Sequence, residues 1–137
     1  MDFEKLRVKE FNQQYIASMR PVFNIRALFS DTTEYYLSPA EPSGYDVITV
    51  KFRTARNNVD RVYLVKSGVK HLMTKSEQKD EFDYYTIQIQ LENEKITYHC
   101  EVWTGSLVAY FDARGVVHEP NEYYDIPVIP GFKTPIA

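Results

Sequence analysis

From Asp46 to Thr54 the chain alternates between apolar and polar residues, and this constrains its fold more than any other feature. Ile48, Val50 and Phe52 go to one side, Thr49, Lys51 and Arg53 to the other. A helix would scatter those residues around its circumference, whereas an extended strand with one wet face keeps them sorted. The same period recurs along the chain. Asn57-Asn58 reads as a turn, Val59 to Val65 as the next strand, and Ser67-Gly68 as a turn into Val69 to Thr74. The charged stretch Ser76 to Glu81 reads as a solvated loop. Phe82 to Leu91 then sends Tyr85, Ile87, Ile89 and Leu91 inward, with Tyr84, Thr86, Gln88 and Gln90 outward. After a turn at Glu92-Asn93-Glu94, Ile96, Tyr98, Cys100 and Val102 alternate with Thr97, His99, Glu101 and Trp103. Thr104-Gly105 connects tightly into Leu107 to Phe111, and Asp112-Ala113-Arg114-Gly115 closes that run.

Short strands with one polar face each, separated by frequent turn signals, describe an all-β antiparallel sandwich. Parallel sheets are covered on both faces and read as continuous apolar runs. No internal repeat of the propeller or solenoid kind is present. The sandwich is expected over residues 24–125. For the leader, residues 1–23, two readings stand. One is a short amphipathic helix over 3–19 carrying Phe11, Tyr15 and Met19, with Asp2 as cap and Pro21 as terminator; the other is a flexible segment.

Four of the seven prolines lie in the last eighteen residues. Proline lacks a backbone donor and pushes its predecessor towards an extended form, so this stretch is neither a helix nor a central strand. Ile126, Val128, Ile129 and Phe132 are too apolar for a free tail. Residues 126–137 are therefore expected to be a stiff linker packed between this domain and another outside the chain.

Composition narrows the function classes. The net charge is −3, and no basic cluster suits phosphate neutralisation, so no nucleic-acid partner is expected. No apolar run approaches the length of a bilayer span, so no membrane partner is expected either. A lone Cys100 cannot form an internal disulfide, and Met1-Asp2-Phe3-Glu4-Lys5 lacks the layout of a secretory signal. The expectation is a cytoplasmic protein.

Chemistry-bearing motifs are sparse. His71, His99 and His118 sit on separate elements, and His99 and Cys100 point to opposite faces of one strand, so no metal site is expected. Asp80, Glu81 and Asp83 lack the glycine and spacing of a calcium loop. There is no phosphate-cradling glycine loop and no nucleophile elbow, and no cofactor is expected. Paired carboxylates suffice for glycoside hydrolysis, but a shallow sandwich face offers them no enclosed site. The segment reads as non-catalytic.

The aromatic content, 15% with eleven tyrosines, points instead to a binding surface. Trp103, Tyr110 and Tyr84 each fall on the polar side of their strand. Flat aromatic rings stack on the C–H faces of sugars, and Gln88, Gln90, Glu101 and Lys95 supply hydrogen-bonding groups. The competing reading has Trp103 packing at the sandwich edge or against a neighbouring domain.

With these residues in view, the chain resembles a known family. Thr49 to Val62, Phe82-Asp83-Tyr84-Tyr85, Ile96-Thr97-Tyr98, Asp112-Ala113-Arg114-Gly115 and Phe132-Lys133-Thr134-Pro135 are similar, in order and spacing, to motifs of one module. It is the N-terminal module of neopullulanases, cyclomaltodextrinases and maltogenic amylases. Asn24-Ile25-Arg26-Ala27 departs from the histidine-arginine-proline opening usual in that module. The resemblance implies an immunoglobulin-like sandwich acting as a starch-related carbohydrate-binding module of family thirty-four. It implies as partners an α-glucan or maltooligosaccharide, a catalytic barrel C-terminal to it, and a second copy in a homodimer. The catalytic carboxylates of such an enzyme would lie beyond Ala137. A sandwich adaptor that binds another protein by an edge strand or its tyrosine-rich face is the alternative.

Overall fold

A computed structural model describes residues 22–131, and in it the two-residue period becomes two antiparallel sheets packed face to face. The strands are β1 (Leu37–Ser38), β2 (Val47–Ala55), β3 (Arg61–Lys66), β4 (Val69–Leu72), β5 (Thr74–Lys79), β6 (Phe82–Gln90), β7 (Ile96–Thr104), β8 (Leu107–Asp112), β9 (Gly115–Val117) and β10 (Ile126–Val128). The smaller sheet runs β1-β2-β6-β5; the larger runs β4-β3-β7-β8-β9, with β10 also pairing with β7. This is the expected immunoglobulin-like sandwich. Short 3-10 turns occupy Ile25–Ala27 and Glu122–Tyr124. The helix considered for residues 3–19 and the Phe132–Pro135 motif lie outside the described residues.

The core sits between the inner faces. Ile48, Val50 and Phe52 from β2 meet Val62 and Leu64 from β3 and Tyr98, Cys100 and Val102 from β7, all of them fully buried. Phe52 stacks edge-to-face on Phe111 with ring centroids 5.4 Å apart. The turns follow from local chemistry. Lys66 pairs with Val69 across the two-residue loop Ser67-Gly68, where φ is +51° and +75°. Positive φ at both positions is what a hairpin turn matching the strand twist requires, and glycine takes it at no steric cost.

Two expectations are corrected. The stretch Ser76–Glu81 is not a loop: residues 74–79 form β5, an edge strand paired to β6 with a register shift between Lys75 and Glu77. All six of its residues are exposed. Wet on both faces, it shows no alternation, while its lysines and its irregular register protect a free sheet edge. The chain reaches β5 by crossing between sheets at Met73, which is buried and donates its N–H to the Val62 carbonyl. Val69 to Thr74 is therefore not one strand.

The second correction concerns the start of the proline-rich segment. Residues 126–128 complete the larger sheet beside β7, burying Ile126 and Val128 in the core while Pro127 faces out. A proline at the exposed position of a short strand loses no ladder bond that burial would make costly. Pro130 is buried as well, and Gly131 donates its N–H to the Pro42 carbonyl at 2.8 Å.

Candidate functional site

The outer face of the larger sheet gathers the aromatic and charged side chains that the core leaves out. In-register pairing lines up Leu72, Tyr63, Glu101, Tyr110 and Val117 as one row across five strands. The adjoining row is Arg61, Trp103 and Val108. Tyr63, Trp103 and Tyr110 are half-buried, and Leu72 is 61% exposed.

Glu101 is the hub. Only 4% of the residue is exposed, yet it faces outward from the centre of the sheet. Its Oε1 accepts from Trp103 Nε1 at 2.6 Å and from Lys70 Nζ at 2.8 Å. The bond to Glu101 pushes the Lys70 pKa up from its ordinary value, outweighing partial desolvation. The Arg61 guanidinium lies 5.0 Å from the Trp103 ring centroid, and the Lys70 ammonium 5.9 Å from that of Tyr63. Trp103 is thus held by its indole N–H and partly covered by a cation.

Trp103 and Tyr110 therefore share a face, on adjacent strands and adjacent rows. Tyr84 is elsewhere. It lies on the outer side of the smaller sheet and is 7% exposed, packed edge-to-face against Tyr35 at 5.8 Å and Phe82 at 6.5 Å. Burial raises its phenol pKa, reinforced by a hydrogen bond with Tyr35. Alternation puts Tyr84 on the outward side of its strand, but the segment before β1 lays Tyr35 over it, with Lys51 Nζ 4.1 Å from the Tyr35 ring. Gln88 and Gln90 are also on the smaller sheet, and Gln90 Nε2 donates to the Tyr45 carbonyl. Of the hydrogen-bonding groups expected around Trp103, Glu101 is the one found against it. Tyr63, Lys70 and Arg61 had no local signal, because nothing in their own segment says that β3 lies beside β7.

A second polar cluster pins the C-terminal strand. His99 Nδ1 lies 3.1 Å from Asp125 Oδ1, both largely buried, above a cavity of 230 Å³ bordered by Glu122 and Thr97. Burial raises the Asp125 pKa, and His99 opposes it. In the turn after β8, Arg114 grips the buried Asp112 through Nε at 3.2 Å, Nη2 at 2.7 Å and its own backbone N–H at 2.9 Å, and lies over Tyr124. Among the described residues, no three His, Cys, Asp or Glu side chains gather as a metal site would require. Nor is any helix there long and apolar enough to cross a membrane.

The sequence profile of the family "Alpha amylase, N-terminal ig-like domain" matches residues 34–130. The chain belongs to this α-amylase N-terminal immunoglobulin-like domain family. No curated protein matches it in sequence. Among solved structures it is similar to a "Cyclomaltodextrinase", with a TM-score of 0.66 at 15% identity over 76% of this chain. It is also similar to "The type III pullulan hydrolase from Thermococcus kodakarensis", with a TM-score of 0.45 at 19% identity over 74% of this chain. The matched regions are 19% and 16% of those two chains, so this domain corresponds to less than a fifth of either. At such identities the first likeness speaks to the fold.

Proposed function

We propose that this domain is the non-catalytic N-terminal module of a neopullulanase-like glycoside hydrolase of the α-amylase family. In this reading the outer face of its larger sheet contacts an α-glucan or maltooligosaccharide. The observation that carries the reading is the cluster of half-buried rings, Tyr63, Trp103 and Tyr110, around a polar pair on one face. Aromatic rings mixed with fixed polar groups are the surface chemistry that suits sugars, whose rings offer C–H patches between hydroxyls. Tyr84, buried on the opposite side of the sandwich, takes no part.

Anchoring of residues 126–131 to the sandwich supports a fixed orientation relative to a following catalytic barrel, because prolines there leave little conformational freedom to lose. Trp103 is the chain's single tryptophan, so its fluorescence reports on this face alone. Titration with maltoheptaose or β-cyclodextrin should perturb that signal with an affinity near the millimolar range, about 4 kcal/mol. A Trp103→Ala chain that kept full glucan affinity, measured by calorimetry, would remove this residue from the site.

A second reading is favoured by the exposure of Leu72 on the same face: a second copy of the protein covers this surface. It predicts that Leu72→Glu alters the oligomeric state of the protein and leaves sugar titration unchanged. The cytoplasmic placement rests on the lone Cys100, which lies in the core.

A further inference from the structure

We propose that Glu101 and Lys70 form the polar centre of this face and that the group they take is a vicinal diol of a pyranose ring, flanked by Tyr63 and Tyr110. This rests on the glucan reading and supplies what that reading lacks, a reason for a sugar to be chosen over any flat apolar ligand.

The row through Glu101 is otherwise made of Leu72, Tyr63, Tyr110 and Val117. A carboxylate at its centre, with only 5% of its side chain exposed, is a poor way to stabilise a sheet. Desolvating an ion pair offsets most of its attraction, and an apolar residue of similar volume would serve packing as well or better. Trp103 and Lys70 both donate to the same carboxylate oxygen, Oε1. In this proposal Oε2 is the oxygen that accepts from the ligand. Lys70, with 54% of its side chain exposed, spends one of its three donors on Glu101.

An acceptor and a donor held side by side match two neighbouring hydroxyls, one donating to the carboxylate and the other accepting from the ammonium. Both bonds are charge-assisted, about twice as strong as neutral ones. An anionic ligand would meet Glu101 and a cationic one Lys70, so the neutral polyol is the class that satisfies both. Strand spacing puts the Tyr63 and Tyr110 backbones about 10 Å apart on either side of β7, leaving a gap of sugar-ring scale. Trp103 acts here as a positioning residue. Its indole N–H fixes Glu101, while Arg61 covers part of its ring.

The test uses calorimetry on the whole chain with β-cyclodextrin and with its per-O-methylated form, which keeps the C–H faces but has no hydroxyl to donate. We expect methylation to weaken binding at least tenfold, about 1.4 kcal/mol. Lys70→Met and Glu101→Gln should each weaken binding of the unmethylated sugar about tenfold. Trp103→Phe should weaken the unmethylated sugar while leaving the methylated one unchanged, which loss of packing alone would not do. Should Glu101→Gln fail to fold, Lys70→Met, altering a half-exposed side chain, decides the matter. Equal binding of both cyclodextrins, unaffected by Lys70→Met, would overturn the diol inference and leave glucan contact standing. No binding of either sugar up to about 10 mM would bring down the glucan reading and this inference with it.

Discussion

Replacing Tyr98 by Phe should make this protein more stable. Tyr98 is the largest of the fully buried side chains, central in the core on β7. Its hydroxyl has no hydrogen-bond partner among the described residues. Burial pushes the phenol pKa far above its usual value, so the group is a neutral donor and acceptor cut off from water. A buried polar group in that state costs about 1–3 kcal/mol of desolvation that nothing repays. Removing the oxygen leaves the ring and its packing in place and opens a void of a single atom, which takes back part of the gain. A net stabilisation of about 1 kcal/mol remains, which raises the midpoint of a domain of this size by about 4 °C. Thermal and urea unfolding followed by circular dichroism would measure both quantities, with an unchanged urea slope confirming that the unfolded state is unaltered. A Tyr98→Phe midpoint below that of the parent would refute the reasoning, since it would mean that the hydroxyl makes a bond worth more than its burial costs.

Other substitutions probe the core, the acid response and the N-terminal anchor. Phe52→Ala removes a fully buried ring stacked on Phe111, and should cost about 3–5 kcal/mol in urea unfolding. Burial alone would raise the Asp112 pKa, but the bonds from Arg114 outweigh it and hold that carboxyl below its ordinary 3.8. Its contribution to stability is thus present above that value and lost as the pH falls through the lowered one, so Arg114→Gln should flatten the loss of stability seen below about pH 4. Asn58 donates to the Val22 carbonyl and accepts from the Asn24 N–H, both at 2.8 Å, tying the start of the described chain to the turn before β3. Asn58→Ala should lower stability by about 1–2 kcal/mol and raise amide exchange at Asn24 while leaving β7 protected.

Much of the fold is legible locally, because alternation is a property of neighbouring residues. Ile48, Val50 and Phe52, and likewise Tyr98, Cys100 and Val102, turn inward for a reason contained within nine residues of chain. The turns at Ser67-Gly68 and Asp112 to Gly115 are written in the same way, by residues that tolerate or require unusual dihedrals. Strand β5 escapes this logic because an edge strand wet on both sides needs no alternation. Residues 126–128 escape it because proline argues against a central strand, and only the exposed position of Pro127 makes the strand tolerable.

The candidate site divides along the same line. The sequence alone determined that Trp103, Glu101 and Tyr110 face away from the core, and that Tyr84 lies on the outward side of its own strand. Only the tertiary structure decided that β3 runs beside β7, which brings Tyr63 and Lys70 to Glu101. It also decided that Tyr35 folds over Tyr84 and takes it out of reach of solvent. Periodicity reports which way a side chain points; what it meets there depends on pairings between distant segments, whose register is fixed by burial of the whole core at once.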